Sequence, residues 1–122
     1  MKYKLFRIPL YSPDLLVVVG KMTGEELSEL IHKKCRVRVE VSETKEVEKC
    51  QGLYLRQKKA SVMWLKSLEG KNALDTLAHE ALHATIDILK FSGIRLTDSS
   101  EEAYTYLQGW ITGTIWKWGR KC

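Results

Sequence analysis

Hydrophobic and polar positions change their period several times along this 122-residue chain. Residues 3–20 read as extended. Tyr3 and Leu5 alternate with polar neighbours, Pro9 and Pro13 exclude a helix, and Leu15-Leu16-Val17-Val18-Val19 is a short buried-strand run closed by Gly20. Thr23 then opens a helix. Glu26 stands at capping-box spacing from it, Leu27, Leu30 and Ile31 form one apolar face, and Lys33-Lys34 lie where the helix dipole favours cations. Residues 36–41 alternate strictly and predict a half-buried strand, whereas the charged residues 42–49 predict a loop. Residues 52–57 and 61–65 predict a hairpin that turns near Lys58-Lys59.

After Gly70 the period becomes helical. Leu74, Leu77, Ala78, Ala81, Leu82, Thr85, Ile86 and Leu89 follow one spacing, with Asn72 as the expected N-cap and Gly93 as the stop. A second long helix is expected from Asp98 or Ser99 through Ala103, Tyr106, Leu107, Trp110 and Ile111 to Trp118. Strands with one helix, followed by two long helices, predict an α+β fold. The expectation is one domain spanning residues 1–122, with an antiparallel or mixed sheet in its N-terminal half.

Composition changes this picture little. Hydrophobic residues make up 44% and charged residues 29%, which is ordinary for a globular protein and excludes a disordered or fibrous class. The formal charge of +5 favours weak attraction to acidic partners without being a nucleic-acid signature. Cys35, Cys50 and Cys122 are odd in number and lack metal-type spacing, so a reduced, cytoplasmic protein is expected. The charged N-terminus does not read as a signal peptide, and no apolar run approaches membrane-spanning length.

The chemistry-bearing segment lies in the first long helix. His79 and His83 are four residues apart, and at about 3.6 residues per turn both imidazoles project from one face. Two such nitrogens can converge on one Zn²⁺ at about 2.0–2.1 Å each. Glu80 follows the first histidine and points slightly around the helix, where a carboxylate can take a proton from a water on the metal without itself being a ligand. A histidine on an amphipathic helix is more often a packed or surface residue. Here, however, two of only three histidines fall at the zinc spacing, with Glu in the base position. The small and apolar neighbours Ala78, Ala81, Leu82 and Ala84 lead to the expectation of a dry wall around the metal.

A catalytic zinc normally has three protein ligands and one open position. His32 ends an ordinary helix and reads as a surface residue. Glu101 and Glu102 follow His83 by 18 and 19 residues, and a returning helix would bring them back beside the metal. Glu102 also stands at capping-box spacing from Ser99, so its residue type alone leaves ligand and cap equally open.

The segment Leu77-Ala78-His79-Glu80-Ala81-Leu82-His83-Ala84 resembles the active-site helix of zincin metallopeptidases. With Glu101-Glu102-Ala103 downstream, the chain is similar to the gluzincin branch, to compact ImmA/IrrE-type peptidases and to small zincin-like proteins of phage and prophage genomes. The likeness covers residues 79–106, while the N-terminal half matches only in its order of elements. It implies Zn²⁺ as cofactor, a peptide or protein substrate and Glu102, rather than Glu101, as third ligand. The acidic residue that often follows one turn after that glutamate is replaced by Tyr106. Asp75 or Asp87, each one turn from a histidine, could orient a ligand instead. Tyr104 or Tyr106 could face an oxyanion, although core packing is the commoner role of such aromatics. An extended substrate would then pair with the strand at residues 61–66.

Two other classes stay beside the hydrolase. One is a non-catalytic protein of the same fold that binds a host protein or nucleic acid, with which the basic charge and Trp110, Trp116 and Trp118 are compatible. The other is a structural zinc domain, which requires a fourth protein ligand and no Glu80.

Overall fold

A computed structural model describes residues 1–56 and 60–121. It is an α+β structure built on one four-stranded mixed sheet. Strand β1 (Lys2–Phe6) lies antiparallel to β2 (Asp14–Val19), with Lys4 opposite Val17. β2 runs parallel to β4 (Ala60–Leu65), which is antiparallel to β3 (Gly52–Arg56). The order across the sheet is β1-β2-β4-β3, so β1 and β3 are its edges.

Helix α1 (Gly24–Cys35), the single-turn helix α2 (Val41–Thr44) and a 3-10 turn (Lys45–Glu48) connect β2 to β3. The long helices α3 (Ala73–Phe91) and α4 (Glu101–Gly119) follow β4.

Successive strand residues point to opposite faces. Leu15 and Val17 of β2 and Met63 and Leu65 of β4 therefore pack with Leu77, Ala81 and Ile88 of α3 and Leu107, Ile111 and Ile115 of α4. Leu16, Val18, Val62 and Trp64 form a second core with Leu27 and Ile31 of α1. The two central strands are thus covered on both faces, which is why residues 15–19 are apolar without alternation. Each large apolar side chain so buried contributes about 1.5–3 kcal/mol.

The capping box of α1 is present as expected. Thr23 Oγ1 accepts from the Glu26 amide at 3.2 Å, and Glu26 Oε1 accepts from the Thr23 amide at 3.0 Å. Helix α3 ends in a Schellman motif: the Ile94 amide donates to the Leu89 carbonyl at 2.8 Å and the Gly93 amide to that of Lys90 at 2.9 Å. Gly93 takes the left-handed φ of 79° that this closure needs.

Other expectations are corrected. Residues 36–40 form no strand. Arg36 adopts φ 57°, its amide donates to the His32 carbonyl, and the chain turns away from the sheet. Val39 is nevertheless buried and Val37 half-buried against the second core, so the alternation reported burial without β-pairing. Of the expected loop 42–49, residues 42–48 lie in α2 and the 3-10 turn, fastened by Thr44, whose hydroxyl donates to the Gly24 carbonyl at 2.7 Å.

In β1 the phase is opposite to the expected one. Tyr3 and Leu5 are exposed, whereas Phe6 is buried and meets Trp118 edge-on, with centroids 5.4 Å apart. Asn72 and Ser100 occupy the N-cap positions of α3 and α4 without side-chain cap bonds, and α4 begins at Glu101 rather than at residue 98 or 99. The expected turn at Lys58-Lys59 and Cys122 lie outside the described residues. No helix among the described residues is long and apolar enough to cross a membrane.

Candidate metal centre

Helix α3 lies across the sheet with Leu77, Ala81, Ala84 and Ile88 turned inward. That orientation decides where the chemistry-bearing residues go. His79 and His83 are two and five residues away from the inward positions 77 and 88, so they emerge on the outer side of the helix, and both are exposed. Their rings stand edge to face, with centroids 5.0 Å apart. Glu80 is turned toward β3 and is only 8% exposed. The nitrogens of His79 and His83 and a Glu80 carboxylate oxygen all lie within 4.8 Å of one another.

Helix α3 presents a second carboxylate on the Glu80 stripe, two turns later, at Asp87. The α3-facing side chains of β3 are Gly52, Tyr54 and Arg56, and they treat the two acids differently. Asp87 accepts from the Tyr54 hydroxyl at 2.6 Å and forms an ion pair with Arg56. Glu80 faces Gly52 and has no hydrogen-bond partner among the described residues. Burial pushes the Glu80 carboxyl above the usual carboxylate range, and the neighbouring His79 and His83 pull it partly back. Burial, then the bond to Asp87, holds the Tyr54 hydroxyl far above the usual phenol range.

An open depression of about 350 Å³ borders the cluster, lined by Gln51, Gly52, Asp75, Thr76, His79 and Glu80. It gives solvent and a small polar group direct access to Glu80 and His79. The expectation of a dry wall is therefore corrected: His83 and Leu82 face solvent, and the apolar neighbours Ala81 and Ala84 line the core behind the histidines.

The remaining expected residues are distributed as follows. Asp75 is exposed and shares the depression with His79. The partners of Asp87 are Tyr54 and Arg56, not a histidine. Tyr104 is buried and donates to the Ile94 carbonyl at 2.6 Å, so it closes the α3–α4 connection instead of facing an oxyanion. Tyr106 is 67% exposed and takes no part in the core. His32 is exposed at the end of α1, as expected. Glu101 and Glu102 are exposed in the first turn of α4 and lie outside the three-residue cluster. Glu102 does not complete a capping box with Ser99, because the helix starts one residue later: Ser100 is the N-cap and the third helical position falls on Ala103. The edge strand beside the cluster is β3, not the strand at residues 61–66, which is paired on both sides.

Gly52, Thr76 and the Tyr54–Asp87–Arg56 link were not singled out from sequence. The available signal for the first was a glycine opening an otherwise β-type segment, which marks a close approach of another group.

The donor set fits a borderline-soft divalent cation. Two imidazoles one helical turn apart are a recurrent zinc pair, and a nitrogen of each lies within 4.8 Å of the other and of a Glu80 oxygen. No family model matches the chain, and no curated protein or solved structure matches it. The cluster and the fold that positions it therefore carry the functional argument alone.

Proposed function

We propose that this protein is a zinc-dependent hydrolase that cleaves peptide bonds, with His79 and His83 as metal ligands and Glu80 as general base. The observation that carries the reading is the cluster itself: two imidazoles and a largely buried carboxylate, without a hydrogen-bond partner among the described residues, within 4.8 Å on one stretch of helix. Bound zinc supplies a Lewis acid and lowers the pKa of water to about 7. Glu80 accepts the proton of the attacking water and passes it to the leaving amine. Its burial suits that task, because it raises the Glu80 carboxyl above the usual range and so makes the carboxylate a stronger base. Asp87 stays out of the chemistry, since Tyr54 and Arg56 already satisfy it.

We assign the third ligand to Glu102, on two supporting observations. Gln108 donates to the Ala78 carbonyl at 3.4 Å, which sets the register of the antiparallel pair α3–α4. Six residues back along α4 is Glu102, and six forward along α3 is Ala84, beside His83. Glu102 also shares a stripe with exposed Tyr106 and Gly109, opposite the inward Tyr104, Leu107 and Ile111, and the histidines stand on the outer side of α3 in the same way. The free edge of β3 beside Glu80 offers main-chain pairing to an extended peptide.

Metal analysis is the direct test. Wild-type protein is expected to bind one zinc per chain, His79→Ala to lose it, and Glu80→Gln to keep it while losing cleavage of a peptide library. Undiminished activity of Glu80→Gln sinks the mechanism. Loss of zinc affinity in Glu101→Ala but not in Glu102→Ala moves the third ligand by one residue.

The exposure of both histidines and the position of Glu102 outside the cluster favour one other reading, a metal-binding protein without catalysis. Full zinc occupancy with no cleavage of any peptide in the library selects it.

A further inference from the structure

Gly52 opens β3 on the side of that strand which faces α3. Its backbone does not use the left-handed φ found at Gly20, Gly70 and Gly93, so conformational freedom does not explain the glycine. In a strand, glycine contributes no packing and weakens the element. Space explains it. A Cβ at Gly52 would stand 2.7 Å from Thr76 Cγ2, 3.1 Å from Glu80 Cγ and 3.2 Å from Glu80 Oε2. The first distance is a clash, and the other two require Glu80 to give way.

We propose that Gly52 is a positioning residue for Glu80: the side chain it lacks is the space in which the Glu80 carboxylate lies between α3 and β3. The pattern along β3 supports the assignment. Tyr54 and Arg56, on the same side of the strand, reach across and neutralise Asp87. Gly52, at the corresponding place opposite Glu80, reaches nothing, and so leaves that carboxylate bare and open to the depression it helps to line. One strand thus pins the helix through one acid and keeps the other free to react. The catalytic part of this assignment rests on the hydrolase reading above, whereas the steric part does not.

The test separates the two neighbours of the missing Cβ. Gly52→Ala alone meets Thr76 first and loses stability. Gly52→Ala combined with Thr76→Ser removes the Cγ2 methyl that clashes and leaves the Glu80 contacts in place. Compared with Thr76→Ser alone, the double variant is expected to melt at the same temperature and bind the same amount of zinc. Its kcat on the best-cleaved quenched-fluorescence peptide should fall on the order of tenfold with KM unchanged, because small displacements of a reacting group are costly. Its crystal structure should show the Glu80 carboxylate displaced from β3.

A carboxylate that has not moved overturns the proposal whatever the activity, and so does a moved carboxylate with unchanged kcat. Wild-type protein that binds zinc but cleaves no peptide defeats the hydrolase reading alone. The crystallographic comparison then still decides whether Gly52 sets the place of Glu80.

Discussion

Two carboxylates on one stripe of α3 are treated differently by the strand packed against them. Asp87 is bonded by Tyr54 and paired with Arg56, so its removal should act on stability. Tyr54→Phe deletes one bond to a buried charged acceptor and should cost about 1.5–3 kcal/mol in urea unfolding. The same hydroxyl gives a pH signature. Its folded-state pKa lies above the unfolded value of about 10, so its stabilisation is complete below that pH. It is lost as pH rises further, because the unfolded chain releases the proton first. The wild type should therefore lose melting temperature between about pH 9.5 and 11 more steeply than Tyr54→Phe. Glu80 should behave in the opposite manner. It is buried without a hydrogen-bond partner among the described residues, so Glu80→Gln should leave the metal-free protein as stable or raise its melting temperature. A marked loss of stability in that variant would mark Glu80 as structural.

At the level of elements, the features legible in sequence were those whose signal is local. The Thr23–Glu26 box, the apolar face of α1, the run 15–19 and the helical period after Gly70 each depend on neighbours within a few residues. Thr23→Ala should cost about 0.5–2 kcal/mol, measured by chemical unfolding, because one amide loses its acceptor. Gly93→Ala should cost about 1 kcal/mol, because alanine resists the φ of 79° that closes α3. The failures were non-local. Val37 and Val39 alternate with arginines as a strand does, yet Arg36 turns the chain away from any partner. Tyr3 and Leu5 look inward from sequence, but β1 is an edge, and its buried contact comes from Trp118 at the far end of the chain. The candidate site divides in the same way. His79, Glu80 and His83 were readable from helical spacing, whereas Gly52 enters the site only through the packing of β3 on α3.

For the whole molecule, a metal that binds only the folded chain should raise the melting temperature of the wild type but not of His79→Ala. At a free concentration a hundred times Kd the gain is about 2.7 kcal/mol, and a chelator should reverse it. Scanning calorimetry with and without zinc reads the difference, and equal shifts in both proteins would place the ion elsewhere. The parallel pairing of β2 with β4 has a consequence of a different kind. Val17 waits for Met63, and Leu16 for Val62, across all of α1, α2 and β3. A chain emerging from the ribosome therefore holds its most apolar strand without a parallel neighbour until residues 60–65 are made. Closure of so long a loop slows the search for the native pairing, and nothing upstream of β4 can shorten it. The slow step of folding is expected at the centre of the sheet, while the candidate metal site lies beside its edge.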